Sequence, residues 1–356
     1  MLAPPPDNLV RLPAAQQPLL VAVIDTEEEF DWEKPFSRTS VGVRHVRYQN
    51  RAQALFARFG LKPLYAVDYP IVENERGYKP LREWMLAGTC EVGTHLHPWV
   101  NPPFEEPVNN RNSYPGNLPA SLERAKLLRL TELIEQRFGT RPVVYRAGRY
   151  GVGPNTAATL ADLGYQIDTS VVPRTDFGGE GGPDFRRCGL DPYWIDAPGG
   201  LLEVPLTVGW TGAFAAVGAS LQPLCRSDWG QRLRLQGLLS RARLLDRIRL
   251  TPEGMSAEEL RRLTRALCAR GQRIFNFTYH SPSLMPGNTP YVRSQAELEK
   301  FIGTIESYLD FFFGEIGGRA ATLQEVRALC LSVVRQTDQA PTAGVRQADA
   351  PRAGTA

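Results

Sequence analysis

Residues 19–29 read LLVAVIDTEEE: six apolar residues run straight into an acid, a threonine and three more acids. A short aliphatic, β-branched run of this length is a strand pattern. Side chains alternate along a strand, so Asp25 and Glu27 point one way while Thr26 and Glu28 point the other. A run of acids is ordinarily a solvated loop. Here it caps an apolar strand, and parallel α/β folds carry their working residues where strands hand over to loops.

Outward from that strand, short apolar runs recur at residues 63–66, 90–93, 142–145, 166–168, 201–204 and 273–278. Helical patterns separate most of them, at residues 46–59, 122–138, 155–163 and 257–270, with later ones at 295–313 and 323–329. Ser121, Ser256 and Ser294 stand as N-caps, and Gly60, Gly139, Gly164 and Gly271 follow the last helical residues. Seven strand–helix units predict an α/β fold, a barrel or else a doubly wound open sheet. The proline-rich residues 1–18 read as a flexible leader, 19–335 as one barrel domain with C-terminal helices, and 336–356 as a disordered tail too polar to offset its ordering entropy.

Strand ends then become the places to look for chemistry. Residues 90–99 read CEVGTHLHPW, with His95 and His97 two apart at the end of the second such run. Both imidazoles therefore face one point, a common way to offer two nitrogens to a first-row divalent metal. The chain has 4 histidines. His280 follows the strand pattern RIFNFTY, residues 273–279, while His45 opens a basic stretch and reads as an exposed bystander. The loop YRAGRYG, residues 145–151, places Arg146 where it can pair with an acid across the barrel mouth and hold it ionised. Asp168 ends another strand, as a supporting partner or a turn residue. Trp99, Tyr150, Trp194 and Trp210 fall in or near the mouth loops, either as open aromatic faces or as core.

Composition narrows the class. With 356 residues, 42% hydrophobic and 22% charged, the chain is an ordinary globular protein. A net charge of +3 offers no basic surface for nucleic acid. No apolar stretch is long enough to span a membrane, and no secretion signal is evident. The 5 cysteines are scattered without a C-x-x-C pair, which fits reduced thiols and a cytoplasmic setting. The Arg-rich stretch 231–250 (QRLRLQGLLSRARLLDRIRL) reads as a solvated helix face, a lid, or a peripheral contact with anionic lipid at the inner membrane.

The ordered series of acidic strand end, histidine pair, arginine loop, strand-end aspartate and late His280-Ser-Pro-Ser-Leu284 resembles the polysaccharide deacetylases with a NodB-type domain, carbohydrate esterase family four, and most of all their WalW-like branch. The likeness spans about residues 19–284. It implies a distorted (β/α)7 barrel and a metal-dependent hydrolase that removes acetyl groups from N-acetylated saccharides. Asp25 would be the base, Glu27, His95 and His97 the ligands, and Arg146 the group that orients the base. His280 would protonate the departing amine, and Trp99, Arg149, Tyr150 and Asp168 would touch substrate. Zinc is the expected metal, with Co, Ni, Mn and Fe as substitutes. Three departures mark this chain: Asp-Thr-Glu replaces adjacent aspartates, the histidines are two rather than four apart, and the arginine motif lacks its proline. The first leaves either Asp25 or Glu27 as the ligand. The competing readings are an amidohydrolase acting on a non-sugar amide and a non-catalytic glycan-binding descendant.

Overall fold

The computed structural model describes residues 6–218 and 244–339, with 221, 237 and 239 between them. Its strands are β1 (Leu19–Thr26), β2 (Leu64–Val67), β3 (Glu91–Leu96), β4 (Val144–Ala147), β5 (Ile167–Asp168), β6 (Tyr193–Trp194), β7 (Leu202–Glu203), β8 (Val208–Thr211), β9 (Asp246–Arg249), β10 (Ile274–His280) and β11 (Arg319–Ala320). They build a 9-stranded sheet in the order β10-β1-β2-β3-β4-β5-β7-β6, with β11 beside β1. Every neighbouring pair from β10 to β7 is parallel, and these are the seven strands the sequence predicts. β6 is an antiparallel edge, and β8 and β9 form a separate two-stranded antiparallel sheet. The sheet curls as a distorted half-barrel whose outer strands, β10 and β6, do not pair with each other.

The helices are α1 (Gln49–Arg58), α2 (Tyr69–Glu73), α3 (Glu75–Leu86), α4 (Ala120–Phe138), α5 (Thr156–Asp162), α6 (Ala257–Ala269), α7 (Gln295–Asp310) and α8 (Leu323–Gln339). Ser256 and Ser294 close full capping boxes with Glu259 and Glu297. Gly139 ends α4 in the left-handed conformation at φ 76°. α2 and α3 were not expected, because Pro70 and Pro80 interrupt the apolar period. Pro70 sits in the first turn of α2, where no N–H is missed, and Asp68 caps that helix.

All eight residues of β1 are buried, so both faces of the strand are core. Leu19, Val21 and Val23 face inward onto Leu64, Ala66, Val144, Ile167, Leu202 and Ile274, with Val326 and Cys330 of α8 in the same cluster. Leu20, Ala22 and Ile24 belong to the other core, with Val46, Phe56 and Phe275. Burial of such side chains stabilises by about 1.5–3 kcal/mol each, which pins the register and hence the direction of every residue beyond.

Part of the segment expected as a loose leader lies against the barrel. Asn8 donates to the Trp194 carbonyl at 2.9 Å, the Val10 N–H to the Pro192 carbonyl at 2.8 Å, and Arg273 to the Ala14 carbonyl at 2.8 Å. α8 runs on to Gln339, past the expected start of the tail, and residues 340–356 lie outside the described residues. So does most of the basic stretch 231–250, whose end forms β9. Among the described residues no helix is long and apolar enough to cross a membrane.

Candidate metal centre

The inward face that carries the apolar cluster turns polar at the strand ends by the same period of two. Val23 is followed by Asp25 and Glu27, Gly93 by His95 and His97, Val144 by Arg146, and Ile274 by Asn276, Thr278 and His280. Parallel pairing sets Asp25 beside His280 and His95 beside Arg146. At the mouth, Glu27 Oε2 lies 3.4 Å from His95 Nε2 and 3.5 Å from His97 Nε2. One ligand atom from each of the three lies within 4.8 Å of the others, and all three residues are buried. Asp25 does not join this set; its carboxylate is engaged by Arg146 at 3.1 Å.

The other nitrogen of each imidazole is already occupied. His95 Nδ1 is 3.0 Å from the Arg146 carbonyl, which can only accept, so Nδ1 carries the proton and Nε2 its lone pair. His97 Nδ1 donates to Glu28 Oε2 at 2.7 Å, and the other oxygen of Glu28 accepts from Trp99 Nε1 at 2.7 Å. The Glu28 N–H in turn donates to Asp68 Oδ2 at 2.6 Å, tying β1 to the cap of α2. Such an outer layer fixes tautomer and ring direction at metal-binding histidines. Glu27 and Glu28, just past the end of β1, thus meet the two nitrogens of one ring, Glu27 facing His97 Nε2 and Glu28 His97 Nδ1.

Electrostatics favour a cation at the point of convergence. Burial, with the carboxylates of Glu28, Asp25 and Asp68 adding to it against His280, pushes Glu27 well above the usual carboxylate range. Burial pulls His95 well below its ordinary value and His97 down to about 4, so both imidazoles are neutral. Glu27 Oε1 and His95 Nε2 are buried with no hydrogen-bond partner among the described residues. Orphaned buried atoms are costly and rare; here a carboxylate oxygen and an imidazole lone pair share one remedy, a divalent cation. The donor set fits the group.

Beneath the mouth, Arg146 is fully buried and its Nη1 also donates to Thr278 Oγ1 at 2.8 Å. His280 Nε2 is 3.7 Å from Asp25 Oδ2, and its Nδ1 is 2.8 Å from Glu253 Oε2. Burial opposes charge on His280, yet the carboxylates of Glu253, Glu27 and Asp25 raise it to about 10. Glu253 also accepts from the His280 N–H at 3.1 Å and from Ser283.

A cavity of about 300 Å³ opens over these groups, lined by Asp25, Glu27, His95, His97, Trp99, Arg149, Tyr150, Arg249 and His280, with Phe30, Trp32, Phe36 and Tyr291 among its aromatic walls. Trp99 is only 2% exposed and stacks on His97 at 4.2 Å, so it braces that ring and offers no open face. Arg149 and Tyr150 line the cavity with consecutive left-handed backbones, φ 54° and 60°, a strained turn for residues with side chains. Arg149 is tied to Glu180 at 2.7 Å and to Asn110 at 2.7 Å.

Asp168, expected against substrate, is not at the cavity. Two residues on from Gln166 it falls on the outward face of β5, fully buried, where it accepts from Ser170, whose hydroxyl receives the Ala147 N–H. Trp194 is 1% exposed in the lower core, and Trp210 packs on Ala215 and Leu245. Among the tryptophans it is Trp32 that joins Trp99 at the cavity, edge-on to His280 at 5.0 Å. His45, read as exposed, is wholly buried, 2.7 Å from Ser281 Oγ and 3.3 Å from Glu29 Oε1. Glu253 was missed altogether; a single acid in a loop carries no periodic signal.

No family model matches the sequence, and no curated protein matches it. Solved structures do. A putative glycoside hydrolase/deacetylase from Parabacteroides distasonis is similar with a TM-score of 0.52 at 12% identity, over 89% of this chain and 72% of that one. An allantoinase is similar with a TM-score of 0.51 at 13% identity, over 89% of this chain and 91% of that one. A putative polysaccharide deacetylase from Mycobacterium smegmatis gives 0.49 at 17% identity, over 99% and 100%. At such identities the likeness speaks for the fold alone, the distorted α/β half-barrel that this chain shares with the first two.

Proposed function

We propose that the chain is a metal-dependent hydrolase that removes N-acetyl groups from amino sugars of a bacterial surface polysaccharide or its precursor, in the manner of the WalW-like deacetylases. One observation carries the reading: two orphaned, buried donors, Glu27 Oε1 and His95 Nε2, converge with His97 beside an acid–base pair, Asp25 and His280. Glu27, His95 and His97 would hold the metal, zinc by preference for a carboxylate and two imidazoles. Bound there, the cation would polarise the acetyl carbonyl and acidify water.

The remaining steps belong to the chain. Asp25 accepts the proton of the attacking water, and Arg146 fixes that carboxylate in direction. His280, held protonated by Glu253, donates to the sugar nitrogen as acetate and amine part. Trp32 and Tyr291 close on the His280 side and exclude water around it.

The test is acetate release from N-acetylhexosamine oligomers by zinc-loaded protein, with allantoin as a parallel substrate. The reading expects acetate, and a fall of about 10²–10⁴ in kcat for Asp25→Asn and for His280→Gln. Turnover of allantoin without acetate release would replace it with a non-sugar amidohydrolase.

A further inference from the structure

The cations around the cavity are nearly all spoken for. Arg146 is held by Asp25, Arg149 by Glu180 and Asn110, and Lys34 by Asp31 at 2.9 Å. Arg249 is different. It is half-buried, it lines the cavity, and among the described residues neither an acid nor a hydrogen-bond acceptor engages its guanidinium.

The fold aims it there. Arg247 and Arg249 lie two apart in β9 and so share a face, while Ile248 between them is buried in the core. The Leu250 carbonyl accepts from the Thr278 N–H at 3.1 Å, which fastens the end of β9 against β10 beneath His280. Arg247 donates to Thr175 Oγ1 and lies over the Trp210 ring at 5.6 Å. Arg249 lines a second cavity of about 340 Å³ as well, which shares Tyr150, His280 and Tyr291 with the first. Glu253 also borders that cavity, but both of its oxygens are committed to His280 and Ser283. A guanidinium partly out of water without an acceptor is an unspent interaction, and its forked donors suit a carboxylate or a phosphate.

We infer that Arg249 is a specificity residue for an anionic group on the substrate: the N-acetyl amino sugar carries, or is linked to, a carboxylate or phosphate that reaches the junction of the two cavities. The inference rests on the deacetylase reading for the word sugar, and on Arg249 alone for the anion. The anion belongs to the saccharide half, because His280, which serves the amine, borders both cavities.

Three probes test it by quenching of tryptophan fluorescence in the full chain: chitotetraose (neutral), a tetrasaccharide alternating N-acetylglucosamine with glucuronic acid (carboxylate), and UDP-N-acetylglucosamine (phosphate). An anionic probe should bind about tenfold to a hundredfold tighter than chitotetraose, and added salt should shrink the difference. Arg249→Gln should abolish the preference and Arg249→Lys keep part of it, with melting curves showing both variants folded. Whichever anion wins names the source. Equal binding of all three probes, or a preference that survives in Arg249→Gln, overturns the inference. Acetate release on the same samples separates the two claims. Deacetylation with no anion preference sinks only the role of Arg249, and an Arg249-dependent preference without acetate sinks only the deacetylase reading.

Discussion

Glu253→Gln should move the alkaline limb of activity to lower pH. The Glu253 carboxylate lies 2.8 Å from His280 Nδ1 and is the foremost of the charges that raise His280 to about 10. Glutamine keeps the shape and an acceptor for the ring but removes the charge. Two unit charges about 4 Å apart interact by roughly 4 kcal/mol at an effective dielectric constant of 20, equivalent to roughly 3 pKa units. His280 is the acid, active when protonated, so its activity is lost as pH rises through its pKa, and lowering that pKa brings the loss to lower pH. A bound metal lowers His280 in both proteins alike, so the difference between them is the readout. The assay is kcat/KM for acetate release from pH 5 to 10, with holoenzyme of each form. A displacement of 1–3 units is expected for a group partly open to water. An alkaline limb that stays where it was would contradict the assignment of His280 as the acid supported by Glu253.

Glu28→Gln removes the charge behind His97 and should weaken metal affinity about 10–100-fold, read by competition with a chelator, with the fold intact. Lys126 is wholly buried, donating to the carbonyls of Pro98, Asn101 and Pro103 and pairing with Glu106 at 3.0 Å. Lys126→Met strands that acid and should cost about 3–5 kcal/mol in denaturant unfolding, with part recovered in Lys126→Met/Glu106→Gln. At Gly148 a Cβ would overlap the Leu96 carbonyl and the His97 ring, so Gly148→Ala should displace a ligand and lower metal affinity at least about tenfold in a zinc titration.

Much of the site was legible because period-two alternation is local and strand registry simply propagates it. Asp25, Glu27, His95, His97, Arg146 and His280 are all found on the inward face that their spacing from the apolar runs predicts. Asp168 failed the same test, since counting back along its short strand places it outward. What escaped the sequence depends on contacts made across the fold. Glu253 reaches His280 from a loop 27 residues away. Glu28 follows β1 and meets His97, which follows β3, two strands away in the sheet, and His45 is buried by packing against Ser281 and Glu29. The α2–α3 pair was hidden by its prolines. Trp32 lies in a segment with no helical or strand period, so nothing local brings it to the mouth.

The most direct test of the metal centre is bound-metal analysis of the purified chain beside Glu27→Gln, His95→Ala and His97→Ala, with acetate release from N-acetylhexosamine oligomers measured on the same samples. One equivalent of divalent metal and acetate release in the wild type, both lost in each folded variant, is the predicted result. A folded wild type that takes up no metal after incubation with zinc, or variants that keep metal and activity, would contradict it.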